Sequence, residues 1–312
     1  MDAEYNLTYI TLGGHVDVDK FRYLYFMIVF LVYIFILCSN SVIVYLIWIH
    51  QDLHEPMYIF IAALLLNSVI FSTNIYPKLL IDFLSEKQIT THQGCVLQYF
   101  MFYTLSGSEF LLLAAMAYDR YVSICKPLQY SMIMRKKTVG MLLALAWLLP
   151  ACELMALAII TANQKICSFT LNVIFCNNSI YKLHCVWSRV ISLFGALILV
   201  NVVLLPILFI LFTYAKIFII TYKHSIEVRK KAAQTCLPHL LVLISFSFLI
   251  TFDVVLVRLE SDLSKTAHLI ITLQMILYHP LFNPIIYGLK MKGISKHLKT
   301  LLSHCKSFLC NN

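Results

Sequence analysis

Seven uncharged apolar windows, each long enough to cross a bilayer, constrain this chain more than any other feature. A helix needs roughly 20 apolar residues to span about 30 Å of hydrocarbon. Such windows lie near Tyr23–Ile49, Pro56–Leu80, Cys95–Tyr121, Thr138–Ile160, Val190–Ile220, Ala232–Val257 and Ala267–Leu289. Only 12% of residues are charged and mean hydropathy is +0.83, against about 25% charged in soluble domains. Lipid offers backbone groups no partner outside their own segment, so the spans are expected to be helices. The ~10-residue alternation of a membrane barrel is missing. The fold expected is an all-α membrane protein, a seven-transmembrane helix bundle.

Loop charge sets the orientation. With the N-terminus outside, three cytoplasmic segments hold fifteen of the 24 basic residues, among them Arg135, Lys136 and Lys137, then Arg229, Lys230 and Lys231, then Lys290, Lys292 and Lys296. The chain then divides into an extracellular tail (1–22), a seven-helix domain (23–289) and a cytoplasmic tail (290–312) with a short amphipathic helix. The net charge of +9 fits this bias and attraction to anionic inner-leaflet lipid, so no nucleic-acid partner is expected. The first 22 residues contain acids and no apolar core, so no cleavable signal peptide is expected and the first helix serves as membrane signal. Asn6 in "NLT" is a glycosylation candidate on the outer side; the sequon at Asn177 lies beside Cys176 and is too constrained to favour use.

Of ten cysteines, Cys95, Cys167, Cys176 and Cys185 fall on the outer face. Four cysteines in an oxidising compartment permit three pairings, and spacing alone does not choose. Zinc fits these four poorly, since none has Cys-x2-4-Cys spacing, and no metal or cofactor is expected. Two disulfides would turn the loop from Ala162 to Ser188 into a lid.

An acid inside the membrane costs roughly 2.5–3.5 kcal/mol on insertion scales, which singles out Glu109. On the third helix Phe102, Ser106, Glu109 and Arg120 fall within about 40° of one face. Phe102 and Arg120 are about 27 Å apart along the axis, so the stripe links two sites. No Gly-x-Ser-x-Gly, His-Glu-x-x-His or phosphate loop occurs, so no enzyme is expected. Lone histidines such as His239 and His279 are expected to be structural. A transporter would share the intramembrane acid and the prolines, but no internal repeat is visible.

Four motifs carry a resemblance. "PMYIF" (Pro56–Phe60), "MAYDRYVSICKPLQY" (Met116–Tyr130), "KAAQTCLPHL" (Lys231–Leu240) and "PLFNPIIY" (Pro280–Tyr287) occur in order and at suitable spacing. Together they resemble the odorant receptors, within the rhodopsin-like G-protein-coupled receptors, over nearly the whole chain; "GSEFLLLAAMAYDRY" looks most like the fish branch. The resemblance implies an odorant-activated receptor, with a small-molecule odorant and a heterotrimeric G protein of the olfactory stimulatory type as partners, in the plasma membrane of sensory cilia. A related receptor for an internal hormone-like ligand, or a transporter, is the alternative.

By resemblance, Asp119 restrains Arg120, which faces the G-protein cavity, and Tyr214 and Tyr287 are switch tyrosines. Cys95 pairs with Cys176 and Cys167 with Cys185. Asn40, Trp147 and Pro206 are packing landmarks. Where the family usually has an acid on the second helix this chain has Ser68, so the polar network of Ser68, Glu109 and Asn283 holds one carboxylate, and a sodium ion prefers several. The ligand is expected among Phe102, Tyr103, Ser106, Leu199, Val202, Thr251 and Arg258. Arg258 either holds an anionic group or pairs with Glu260 or Asp262.

Overall fold

The computed structural model describes residues 9–15, 18–186, 188–222, 226–259 and 265–310, and side chains within them except at 18–19, 228–229, 231–235, 238, 252–259, 265, 267–268, 271 and 304–310. The chain is mostly helical: α1 (Val18–Ile49), α2 (Pro56–Leu84), α3 (His92–Cys125), α4 (Lys136–Ala162), α5 (Arg189–Tyr222), α6 (Ile226–Leu259), α7 (Lys265–Lys290) and α8 (Lys292–Cys310). Among the described residues five helices, α1 to α5, are long and apolar enough to cross a membrane. Each long helix runs a few residues past its apolar window, because helical hydrogen bonding continues into flanking turns that hydropathy does not score.

Prolines inside these helices create the main packing problem. Pro280 and Pro284 lie within α7, and a proline has no N–H to give the carbonyl four residues earlier. The carbonyls of Ile276 and Pro280 therefore lose their helical partners. Tyr76 of α2 donates its hydroxyl to the Ile276 carbonyl at 3.4 Å, and Asn40 of α1 donates Nδ2 to the Pro280 carbonyl at 3.0 Å. Both donors are fully buried. In α5, Pro206 follows a π-helical stretch, Leu199–Leu204, which widens the helix where the proline interrupts its ladder. Gly107 lets α3, α4 and α5 close up: a Cβ there would lie 2.5 Å from Val202 Cγ1 and 3.1 Å from Pro150 Cβ.

One end of the bundle is capped by the segment between α4 and α5. Cys95 at the start of α3 is bonded to Cys176, and Cys167 to Cys185. Gln98 of α3 accepts from the Cys176 N–H at 2.8 Å. The stretch Asn178–Leu183 coils as a 3-10 helix and packs Ile180 and Leu183 inward. Asn177 is buried, with Oδ1 accepting from the Ser179 N–H.

The N-terminal segment is more than a tail. Tyr9–Leu12 form β1, antiparallel to β2 (Ile89–Thr91) and parallel to β3 (Thr170–Leu171) of the lid. Ile10 and Leu12 point inward against Leu171 and Leu183 while Tyr9 and Thr11 point out, the alternation of a half-buried strand. Asn6 lies outside the described residues.

Replacing Asn40 with leucine would leave the Pro280 carbonyl without its side-chain donor in a dry site. We expect a cost of about 1–3 kcal/mol and faster hydrogen exchange of α7 amides around Pro280, measured by mass spectrometry on the purified protein, with exposed Cys38→Ser unchanged.

Candidate functional site

Beneath the lid, α3, α4 and α5 enclose a cavity of about 670 Å³. Tyr99, Tyr103, Ser106, Gly107 and Phe110 line it from α3; their spacings of three and four residues place them along one helical face. Leu154 and Leu157 come from α4, and Ile191, Leu199 and Val202 from α5. The lid contributes Asn178, Tyr181, Lys182 and His184. The walls are therefore mostly aromatic and aliphatic, with Ser106 among them, and most of the polar groups gather at the lid end, the usual arrangement of a small-molecule site.

Lid chemistry is mostly uncharged. The Tyr181 hydroxyl shares a hydrogen bond with Tyr99, and burial pushes its pKa up to about 12. Burial, and then His92 nearby, lowers the pKa of His184. Near neutral pH both side chains present hydrogen-bonding groups without charge, and Lys182 adds an ammonium.

Four of the residues expected to meet the ligand line this cavity: Tyr103, Ser106, Leu199 and Val202. Phe102 does not. It is fully buried between Phe71 and Phe175, with ring centroids 5.2 and 5.1 Å away; Phe175, held in place beside bridged Cys176, fills the space above it. Thr251 is also displaced. It is exposed on α6, and Ile250, one 100° helical step away, lines the cavity instead. The Arg258 side chain lies outside the described residues. The contributions of α4 and the lid were missed; Tyr99 and Phe110, in register with Tyr103 and Ser106, were within reach of the helical period.

Below the cavity lies a buried polar cluster. Asn283 Nδ2 donates to Ser68 Oγ and to Glu109 Oε1, each at 3.0 Å. His279 Nε2 lies 3.0 Å from the same Glu109 oxygen, so His279 is not the isolated residue its sequence context implies. Ser68 donates to the Leu64 carbonyl. Phe246 of α6 packs on both levels: its ring centroid is 4.8 Å from that of Phe110 in the cavity wall and 4.2 Å from that of His279.

At the opposite end of α3, Asp119 is completely buried. Arg120 donates Nη2 and Nε to Asp119 Oδ2 at 2.6 and 3.0 Å. Tyr130, in the turn after α3, donates its hydroxyl to Oδ1 at 2.8 Å; burial, and then the Asp119 carboxylate, raises its phenol pKa. Tyr287 is fully buried, its hydroxyl 3.4 Å from His239 Nδ1. The Tyr214 hydroxyl is buried and hydrogen bonds to nothing among the described residues. Among the described residues neither tyrosine hydroxyl hydrogen bonds to Arg120.

A helical bundle with a lidded cavity at one end of α3 and a buried Asp-Arg pair at the other has the architecture of a membrane receptor. The family is defined by comparison: residues 29–305 match the olfactory receptor family, and the chain belongs to it. Human olfactory receptor 2T27 is 32% identical over 296 residues, 92% of this chain and 91% of that receptor. Human olfactory receptor 11A1 is 32% identical over 301 residues, 95% of this chain and 94% of that receptor. Membership makes this a multi-pass, non-enzymatic membrane protein and implies a seven-helix fold, an odorant ligand and a G protein.

The Asn283 amide serves two buried acceptors at once. Asn283→Ala should cost about 1–3 kcal/mol, the usual penalty for leaving buried polar groups unsatisfied, and lower the thermal midpoint of the detergent-purified protein.

Proposed function

We propose that the cavity beneath the lid binds a small odorant and that binding opens the opposite end of the bundle to a heterotrimeric G protein of the stimulatory type. The observation that carries this reading is the single helix α3, which walls the cavity with Tyr103 and Ser106 and ends in the Asp119–Arg120 pair. The lid end is then extracellular and the Arg120 end cytoplasmic, in keeping with the fifteen of 24 basic residues counted on that side. Residues 1–22 form the outer tail, 23–289 the receptor domain and 290–312 the inner tail. Plasma membrane of sensory cilia is the proposed location, and the likeness of "GSEFLLLAAMAYDRY" to the fish branch supports a fish-type receptor.

A cavity of about 670 Å³ suits a compact, largely apolar ligand with one polar end seated against Asn178, Lys182 or His184. Activation is a shift between two states. An odorant signals only as far as it binds the open state more tightly than the resting one. In the resting state Tyr130 and Arg120 share the Asp119 carboxylate, and releasing Arg120 exposes its guanidinium to the G protein. Tyr214 and Tyr287 are the side chains proposed to rearrange toward it.

The test is a cyclic AMP assay in cells expressing the receptor, screened against water-soluble odorants. Val202→Trp should fill the cavity and raise the half-maximal odorant concentration at least about tenfold, equivalent to 1.4 kcal/mol. Arg120→Ala should abolish the response at unchanged surface density; full signalling by that variant would overturn the role of Arg120. Tyr130→Phe should raise odorant-independent cyclic AMP, because losing a hydrogen bond of about 1 kcal/mol shifts the resting equilibrium roughly fivefold.

A further inference from the structure

At the end opposite the lid, three metal-ligating side chains converge from two distant parts of the chain, and the signalling reading uses none of them. His50 follows α1, Asp52 lies in the 3-10 turn Gln51–Leu53, and His297 lies on α8. His297 Nε2 is 2.9 Å from Asp52 Oδ2. The His50 and His297 rings lie nearly parallel, 18° apart in plane, with centroids separated by 3.7 Å. One nitrogen from each imidazole and one Asp52 oxygen all lie within 4.8 Å of one another.

Packing holds these groups in register. Gly293, one turn before His297, seats α8 on the same turn: a Cβ there would lie 2.6 Å from the Tyr58 hydroxyl and 2.8 Å from Leu53 Cδ2. The two histidines are half-buried and Asp52 is exposed, so the imidazoles are positioned by their surroundings while an ion reaches them from solvent along the carboxylate. The bond from His297 holds the Asp52 carboxyl below its usual range.

The donor set selects the ion. Zinc takes imidazole nitrogen at about 2.0–2.1 Å and carboxylate oxygen at about 2.0–2.2 Å in a tetrahedral shell. Its ligand atoms then sit roughly 3.4 Å apart, within reach of a small side-chain rotation from the spacing here. Two imidazoles favour zinc, nickel or copper over magnesium and calcium, which take oxygen. Three protein ligands leave a fourth position for water.

We propose that His50, Asp52 and His297 form a divalent transition-metal site, suited to zinc, that fastens α8 to the turn between α1 and α2. On binding, the proton on His297 Nε2 passes through solvent to Nδ1 of the same ring, so the neutral imidazole gives its Nε2 lone pair to the metal, and the Asp52 oxygen that accepted the hydrogen bond becomes a second ligand. His50 supplies the third. The site is independent of the odorant cavity and of the direction in which the chain crosses the membrane.

The experiment titrates Zn²⁺ into the full-length receptor in lipid nanodiscs against a chromophoric chelator. Wild type should bind one equivalent more than His50→Ala/His297→Ala. Asp52→Asn and His297→Ala should each weaken that equivalent at least about tenfold. His54→Ala, whose ring is engaged by the Trp48 carbonyl, should leave it unchanged. Co²⁺ substituted at the same equivalent in wild type should give visible ligand-field bands without near-ultraviolet thiolate charge transfer, a readout that needs no variant to fold. Equal stoichiometry and affinity in wild type and the double variant, or a thiolate band on the extra equivalent, overturns the site.

Discussion

Two carbonyls in α7 set the terms for the bundle around it. In water, the groups freed by Pro280 and Pro284 would be solvated at little cost. In hydrocarbon each unsatisfied group costs several kcal/mol. Asn40 and Tyr76 supply the missing donors from α1 and α2, so the helix most interrupted by proline is also tied to two neighbours. The carbonyls thus specify helix pairs where apolar surfaces alone do not, because lipid tails compete with side chains for apolar contact. Asn67 acts similarly between helices, donating to the Leu105 carbonyl of α3 and accepting from the Trp147 indole of α4.

In the proposed function the third helix is the axis of the scaffold. At 1.5 Å per residue its 34 residues extend about 51 Å. Tyr103, Ser106 and Phe110 face the cavity, Glu109 anchors the polar cluster, and Asp119 holds Arg120 at the far end. No ligand spans that length. Phe246 supplies the physical link between the first two levels, since its ring rests on both Phe110 and His279. An occupant that moves Phe110 meets a close-packed neighbour already in contact with the cluster around Glu109, and packed interiors respond to such displacement by changing arrangement rather than by compressing.

The helices were legible because length and apolarity are one-dimensional properties of a chain. Their rotation was less so. Membrane helices are apolar on lipid and protein faces alike, so periodicity gives the stripe through Ser106, Glu109 and Arg120 but not which neighbour each level meets. Phe102 and Thr251 were expected near the ligand by family resemblance, which does not fix each helix's rotation in this chain, and each proved to be one helical step from a residue that lines the cavity, Tyr103 and Ile250. Long-range partners were beyond reach. His279 looks solitary in sequence because Glu109 is 170 residues away, and the three residues of the His50 cluster come from opposite ends of the chain. The β1 strand was legible in principle from the alternation Tyr9-Ile10-Thr11-Leu12, but four residues are too few to stand out against a polar tail.

In the proposed function the same lid residues serve stability and selectivity. One disulfide fixes the middle of the lid to α3 and the other ties its two end regions together, and β1 adds a strand to its edge, so in the proposed function ordering the lid does not have to be repeated each time a ligand binds. Preorganisation of this kind reduces the entropy lost on association. It also fixes Asn178, Tyr181 and His184 as largely neutral groups over an apolar cavity. A ligand with a hydrogen-bonding end exchanges water for these groups at modest cost, whereas one with a second charged end must surrender hydration to aromatic walls that return little of it. With the odorant seated in this cavity as proposed, selectivity rests as much on the dryness of the α3, α4 and α5 walls as on any single polar contact at the lid.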